Sequence, residues 1–183
     1  IGMNYKALVS GVMVTAMSVC ALGARAGVKE DHDVLMYSLE SLGVTIMFNE
    51  HTCSVRDIDG LYNSRLGKLV ICQDNAKWAT NTQLEMTQND YDTLRHEAHH
   101  VIQDCVNGKL GDGLLGDLFK DPVDYNEFVD STLGPVAAAA VADTYSSAGA
   151  SDDTVSLEVE AFAIASSVPA NVLAETLVAV CRM

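Results

Sequence analysis

Residues 95–101 read Arg-His-Glu-Ala-His-His-Val. Within them, His96-Glu97-Ala98-His99-His100 constrains the fold more than any other stretch, because its chemistry works only on a helix. At 3.6 residues per turn, His96 and His100 are i and i+4 and project from one face about one turn apart. Two imidazoles so placed can grip one metal ion, while Glu97 can reach a water beside it. The flanks support this geometry. Leu94, Ala98, Val101, Ile102 and Cys105 recur at helical spacing as an apolar stripe, and the two His and Glu97 lie largely off it. Asn89 or Asp90 can cap the start and Asn107-Gly108 is a stop signal, which predicts a helix of about four turns. His99 is expected in a supporting or surface position, since a third ligand from the same turn would point away.

Around this helix the pattern predicts an α+β domain that is predominantly helical. Asp31 to Leu42 has helical periodicity ending at Gly43. Val44–Phe48, Gly60–Tyr62 and Lys68–Cys72 are short β-rich runs, with a turn at Asn63–Gly67 between the last two. Gln73 to Asn89 is polar and carries no clear periodicity. Beyond Gly108, glycines at 111, 113 and 116 mark a loop-rich stretch with at most one helical turn. Pro135–Tyr145 is Ala-rich and favours helix. Ser151-Asp152-Asp153-Thr154 starts another helix running to Val168, Pro169 ends it, and Asn171–Cys181 forms the last. Helix, small sheet, metal helix and further helices, with no repeat or low-complexity linker, read as one domain over residues 27–183.

The chain has 183 residues, 49% of them hydrophobic and only 3 proline, enough for a real core and against extended disorder. Its formal charge of −14 argues against nucleic acid and anionic membrane surfaces as partners, both of which repel an acidic protein. Residues 1–26 have a leader pattern: Lys6, an uncharged run from Ala7 to Ala24, then Ala24-Arg25-Ala26. Cleavage after Ala26 is expected, leaving no stable membrane association; a retained anchor is the alternative. Four cysteines then remain, an even number suited to two disulfides in an oxidising compartment. Cys53–Cys72, tying neighbouring strands, and Cys105–Cys181, pinning the last helix to the metal helix, are the pairings the topology favours. The expected location is secreted, periplasmic or cell-envelope.

A catalytic zinc takes three protein ligands and keeps one position open. Gln103 and Val106 stand where a metzincin has its glycine and third histidine, so that class is excluded. Glu158 and Glu160, in Ser156-Leu157-Glu158-Val159-Glu160-Ala161-Phe162-Ala163, are acidic residues on an otherwise apolar helix. Such charges are costly to bury unless paired or metal-bound. Here the chain resembles the gluzincin branch of the zincin metallopeptidases, especially its compact single-domain members, over roughly residues 43–168. Those families place a ligand Glu on a helix downstream of H-E-x-x-H, often as Glu-x-x-Ala-[Asp/Asn]. Glu158 fits, with Ala161 at the fourth position, whereas Phe162 departs from the acidic or amide residue that follows. Glu160 is the alternative third ligand. The resemblance implies a small antiparallel or mixed sheet packed on the metal helix, its edge strand lining the cleft. An aspzincin-like ligand, Asp143, is a weaker alternative.

The reaction expected is hydrolysis of peptide bonds in a peptide or protein substrate by a zinc-activated water, with Glu97 as general base. His51, Tyr62, His99 and Tyr125 are equal candidates for stabilising the developing oxyanion. Cell-wall peptide bonds would suit the same site. The rival reading is a non-catalytic zincin-like exported or virion/envelope-associated binding protein whose Zn2+ is structural. A closed set of four protein ligands would mark that case.

Overall fold

The computed structural model describes residues 28–182 except Asp57, Lys77 and Trp78; the leader expectation therefore lies outside the described residues. The elements are α1 (Val28–Ser41), β1 (Thr45–Phe48), α2 (His51–Val55), β2 (Gly60–Asn63), β3 (Lys68–Ile71), α3 (Gln88–Asn107), α4 (Pro122–Thr132), α5 (Pro135–Ser147), α6 (Asp152–Ser167) and α7 (Ala170–Cys181). The α+β class expected from the sequence is what forms: mostly helix, with one three-stranded mixed sheet.

β3 is central, parallel to β1 and antiparallel to β2. Its Leu69, Val70 and Ile71 are all buried, as suits a strand covered on both faces. The β2–β3 turn is held by Asn63, whose Oδ1 accepts from the backbone N–H of Arg65 and Leu66. α3 runs across β2 and β3 and is flanked by α6 and α7, while α7 also packs on α1. Leu35 and Leu39 of α1, Leu69 and Ile71 of β3, Leu94 and Ile102 of α3, and Leu173 and Leu177 of α7 close the main core. Each such side chain contributes about 2–3 kcal/mol by leaving water. A smaller cluster, Val129, Val159 and Ala163 with Phe128 and Leu133 against them, joins α4, α5 and α6. α6 belongs to both, since its Ile164 sits in the main core. It links the two clusters, and it carries the acidic pair.

Several local expectations need correction. α3 is 20 residues long, about five and a half turns rather than four, and its cap is Thr87 rather than Asn89 or Asp90. Thr87 accepts from the Asp90 N–H and Asp90 accepts from the Thr87 N–H, a reciprocal capping box. α4 is an 11-residue helix beginning where the sequence suggests a loop-rich stretch with at most one helical turn; Asp121 caps it and Pro122 occupies its first turn, both good start signals. The polar stretch after Gln73 is organised by two buried amides. Asn49 donates to Thr82 O and Gln73 Oε1, and Gln73 Oε1 accepts from Leu84 N–H. Both disulfides form as paired above, with Cα atoms 5.4 and 5.1 Å apart. Cys105–Cys181 does pin α7 to α3, but Cys53–Cys72 joins helix α2 to the residue after β3, not two strands.

Two disulfides fit an oxidising environment. No described helix is long and apolar enough to cross a membrane.

Candidate metal centre and cleft

α3 presents His96 and His100 one turn apart, and α6 crosses so that Glu158 meets them. His96 Nε2 lies 3.1 Å from His100 Nε2 and 3.2 Å from Glu158 Oε2, and His100 Nε2 lies 3.5 Å from the same oxygen. Among the described residues these three form the group of His, Cys, Asp and Glu donors close enough to share an ion, all within 4.8 Å. The spacing fits tetrahedral zinc, whose bonds of about 2.0–2.1 Å imply donor–donor edges of about 3.3 Å. The two helices pack closely, and Ala98 on α3 and Ala161 on α6 are both fully buried.

Burial and mutual contact set the protonation of the trio. Burial pushes His96 down to about 4, assisted by the neighbouring His100 and opposed by Glu158. Burial also depresses His100, but Glu158, Glu97 and Gln103 outweigh it and hold the ring up at about 9. Burial would raise Glu158, yet the two imidazoles keep its carboxyl well below the usual carboxylate range. A carboxylate and one imidazolium thus share the place where three donor atoms converge.

Glu97 stands beside the trio, 6% exposed. Burial pushes its carboxyl up to about 7, with the Tyr62 backbone N–H and His100 pulling the other way. Strand β2 lies directly against it. A Cβ on Gly60 would come within 2.6 Å of Thr93 Cγ2 and 2.8 Å of Glu97 Oε1, so glycine is what lets this edge strand approach the acid. The cleft here holds about 560 Å³. Thr93, His96 and Glu97 form its floor, Ile58 to Gly60 one wall, and Leu133, Tyr145 and Phe162 the other. Phe162 stacks edge-on against His96, with centroids 4.5 Å apart.

The remaining sequence candidates sit elsewhere. Glu160 meets α3 at a different point, where His99 Nε2 lies 2.9 Å away. His99 is fully buried, not on the surface. Asp143 is exposed and outside the trio. Tyr62 donates to Asp104 and Tyr125 to the Ser156 carbonyl, and His51 is exposed beside Ser54. The residue that sequence reasoning missed is Tyr145 of α5. Burial above all, with Glu158 and Glu97 nearby, raises its pKa, so its hydroxyl stays protonated and can donate. It is the single aromatic on its helix, the only signal that could have singled it out.

A family model described as Domain of unknown function (DUF8637) matches residues 27–131. The match contains His96, Glu97 and His100 and ends before Tyr145 and Glu158. No curated protein and no solved structure matches the chain.

Proposed function

The chain belongs to the DUF8637 family, and from its cleft we propose a zinc-dependent metallopeptidase of gluzincin type, exported to a secreted, periplasmic or cell-envelope location. The observation that carries this reading is the convergence of His96, His100 and Glu158 on one point beside a buried Glu97. A closed structural site takes four protein donors. The group among the described residues has three, which favours the catalytic reading over a structural metal.

His96 Nε2, His100 Nε2 and Glu158 Oε2 would hold the ion. Bound there, Zn2+ lowers the pKa of water and polarises the scissile carbonyl. The chain's own groups do the rest. Glu97, with a carboxyl brought close to neutral by burial, takes the proton of the attacking water and delivers it to the leaving amine. The Tyr145 hydroxyl faces the cleft as a donor and stabilises charge developing on the carbonyl oxygen. Edge strand β2, held close by Gly60, positions the peptide, and the apolar wall at Phe162 and Leu133 keeps bulk water off the reacting bond.

Glu97→Gln tests the reading. The variant should keep one zinc per chain by elemental analysis and lose peptide hydrolysis by about 10²–10⁴-fold. Hydrolysis at the wild-type rate would overturn it.

A further inference from the structure

His99, Gln103 and Glu160 play no part in the chemistry above, yet all three are fully buried directly behind it. A buried carboxylate is costly unless hydrogen-bonded, and Glu160 Oε1 takes two bonds: from His99 Nε2 at 2.9 Å and from Gln103 Nε2 at 3.0 Å. Gln103 Nε2 also donates to the Leu157 carbonyl at 3.1 Å.

The orientation of the Gln103 amide follows from its neighbours. A backbone carbonyl and a carboxylate only accept, so the NH2 end must face them. The Oε1 end is then turned to His100, 2.7 Å from its Nδ1. An amide oxygen only accepts, so Nδ1 must carry the proton. That leaves His100 Nε2 as the atom facing His96 and Glu158. Leu157 and Glu160 bracket Glu158 on α6, so the contacts that lock the amide also fix the helix that brings the third donor.

We propose that Gln103 is a positioning residue, locked by Glu160, His99 and the Leu157 carbonyl, that holds His100 with its proton on Nδ1 and its Nε2 turned to the metal point. The proposal rests on the metal reading of the trio. Partners of this kind fix the tautomer and ring orientation of ligating histidines.

The test compares wild type with Gln103→Leu and Gln103→Glu, checking each fold by circular dichroism. Wild type should show a slowly exchanging His100 Nδ1–H resonance, with or without metal. Gln103→Leu should lose that resonance, bind Co2+ about 10–100-fold more weakly and show an altered cobalt absorption spectrum. Gln103→Glu keeps an acceptor for the imidazole, so it should retain the resonance and stay within about tenfold of wild-type Co2+ affinity. If Gln103→Leu does not fold, Gln103→Glu decides alone: a folded protein without the resonance overturns the proposal. So does Gln103→Leu with the resonance, Co2+ affinity and spectrum unchanged. A wild type that binds neither Co2+ nor Zn2+ overturns the metal reading instead, and the resonance then still decides whether Gln103 holds the ring.

Discussion

Helix α3 buries twelve of its twenty residues, whereas helix α5, across the cleft, buries none of its thirteen. α3 is covered by the sheet, α6 and α7, capped by Thr87 and tied by Cys105 to the chain's last helix. α5 is Ala-rich, starts at Gly134 without a side-chain cap, and packs mainly on α6. Yet α3 supplies His96, Glu97 and His100 while α5 supplies Tyr145. The difference teaches a division of labour. Donor atoms that must meet within a few tenths of an ångström sit on the most buried helix. The donor proposed to face the substrate sits on a lightly anchored one, of the kind that opens locally at low cost.

The largest expected effect tests the anchoring of α3. Cys105–Cys181 closes a 76-residue separation, and chain entropy alone gives about 4 kcal/mol for a loop of that size. Replacing both cysteines by serine should lower unfolding free energy by that order in a denaturant titration. Amide exchange should quicken across α3 and α7 and hardly change in α5. A uniform change across all helices would erase the contrast.

The next effect belongs to Glu97, whose carboxyl is raised from 4.5 to about 7. A raised acid binds its proton more tightly folded than unfolded. The stability it contributes is therefore fully present below about pH 4.5 and lost as pH climbs to about 7. The shift corresponds to about 3 kcal/mol. In metal-free protein, Glu97→Gln should match wild type at pH 4 and exceed its stability by that order at pH 8. Parallel stability curves would show that the α3 floor does not desolvate the acid.

Tyr145→Phe probes α5. Removing one oxyanion donor costs about 10² in kcat, or about 2.7 kcal/mol. Because α5 buries nothing fully, unfolding stability should stay within about 0.5 kcal/mol. Unchanged kcat would remove Tyr145 from the chemistry, and a large stability loss would make α5 as anchored as α3.

The same contrast explains what the sequence disclosed. His96, Glu97 and His100 were legible because one local period on one helix places them. Glu158 was legible only as one of two acids, since spacing cannot tell which of them α6 brings to His96 and His100; both meet α3, Glu158 at that pair and Glu160 at His99 and Gln103. Cys105–Cys181 followed from element order, whereas Cys53–Cys72 formed with Cys53 on a helix and not on the expected strand. Tyr145 was hidden because its place near Glu158 depends on how α5 packs on α6, which no local pattern shows. Gln103 was read only for the glycine it is not, because a hydrogen bond at i to i+3 between buried side chains leaves no hydropathy trace. Gly60 was equally silent: its need for no side chain comes from Thr93 and Glu97, more than thirty residues away in the chain.

The smallest expected effect returns to the helix starts. Thr87 Oγ1 accepts from Asp90 N–H at 3.2 Å and donates to Asp74 at 2.7 Å, while Asp90 accepts from Thr87 N–H at 2.8 Å. Thr87→Ala removes the cap but leaves the return bond of the box, so about 1 kcal/mol of stability should go. The cap lies more than two turns before His96, and the sheet and α7 hold the ligand end independently. Zinc affinity and kcat should therefore be unchanged while the melting temperature falls. A matching loss of zinc affinity would show that α3 transmits strain from its start to its ligands, and that burial of the helix does not by itself fix the donors.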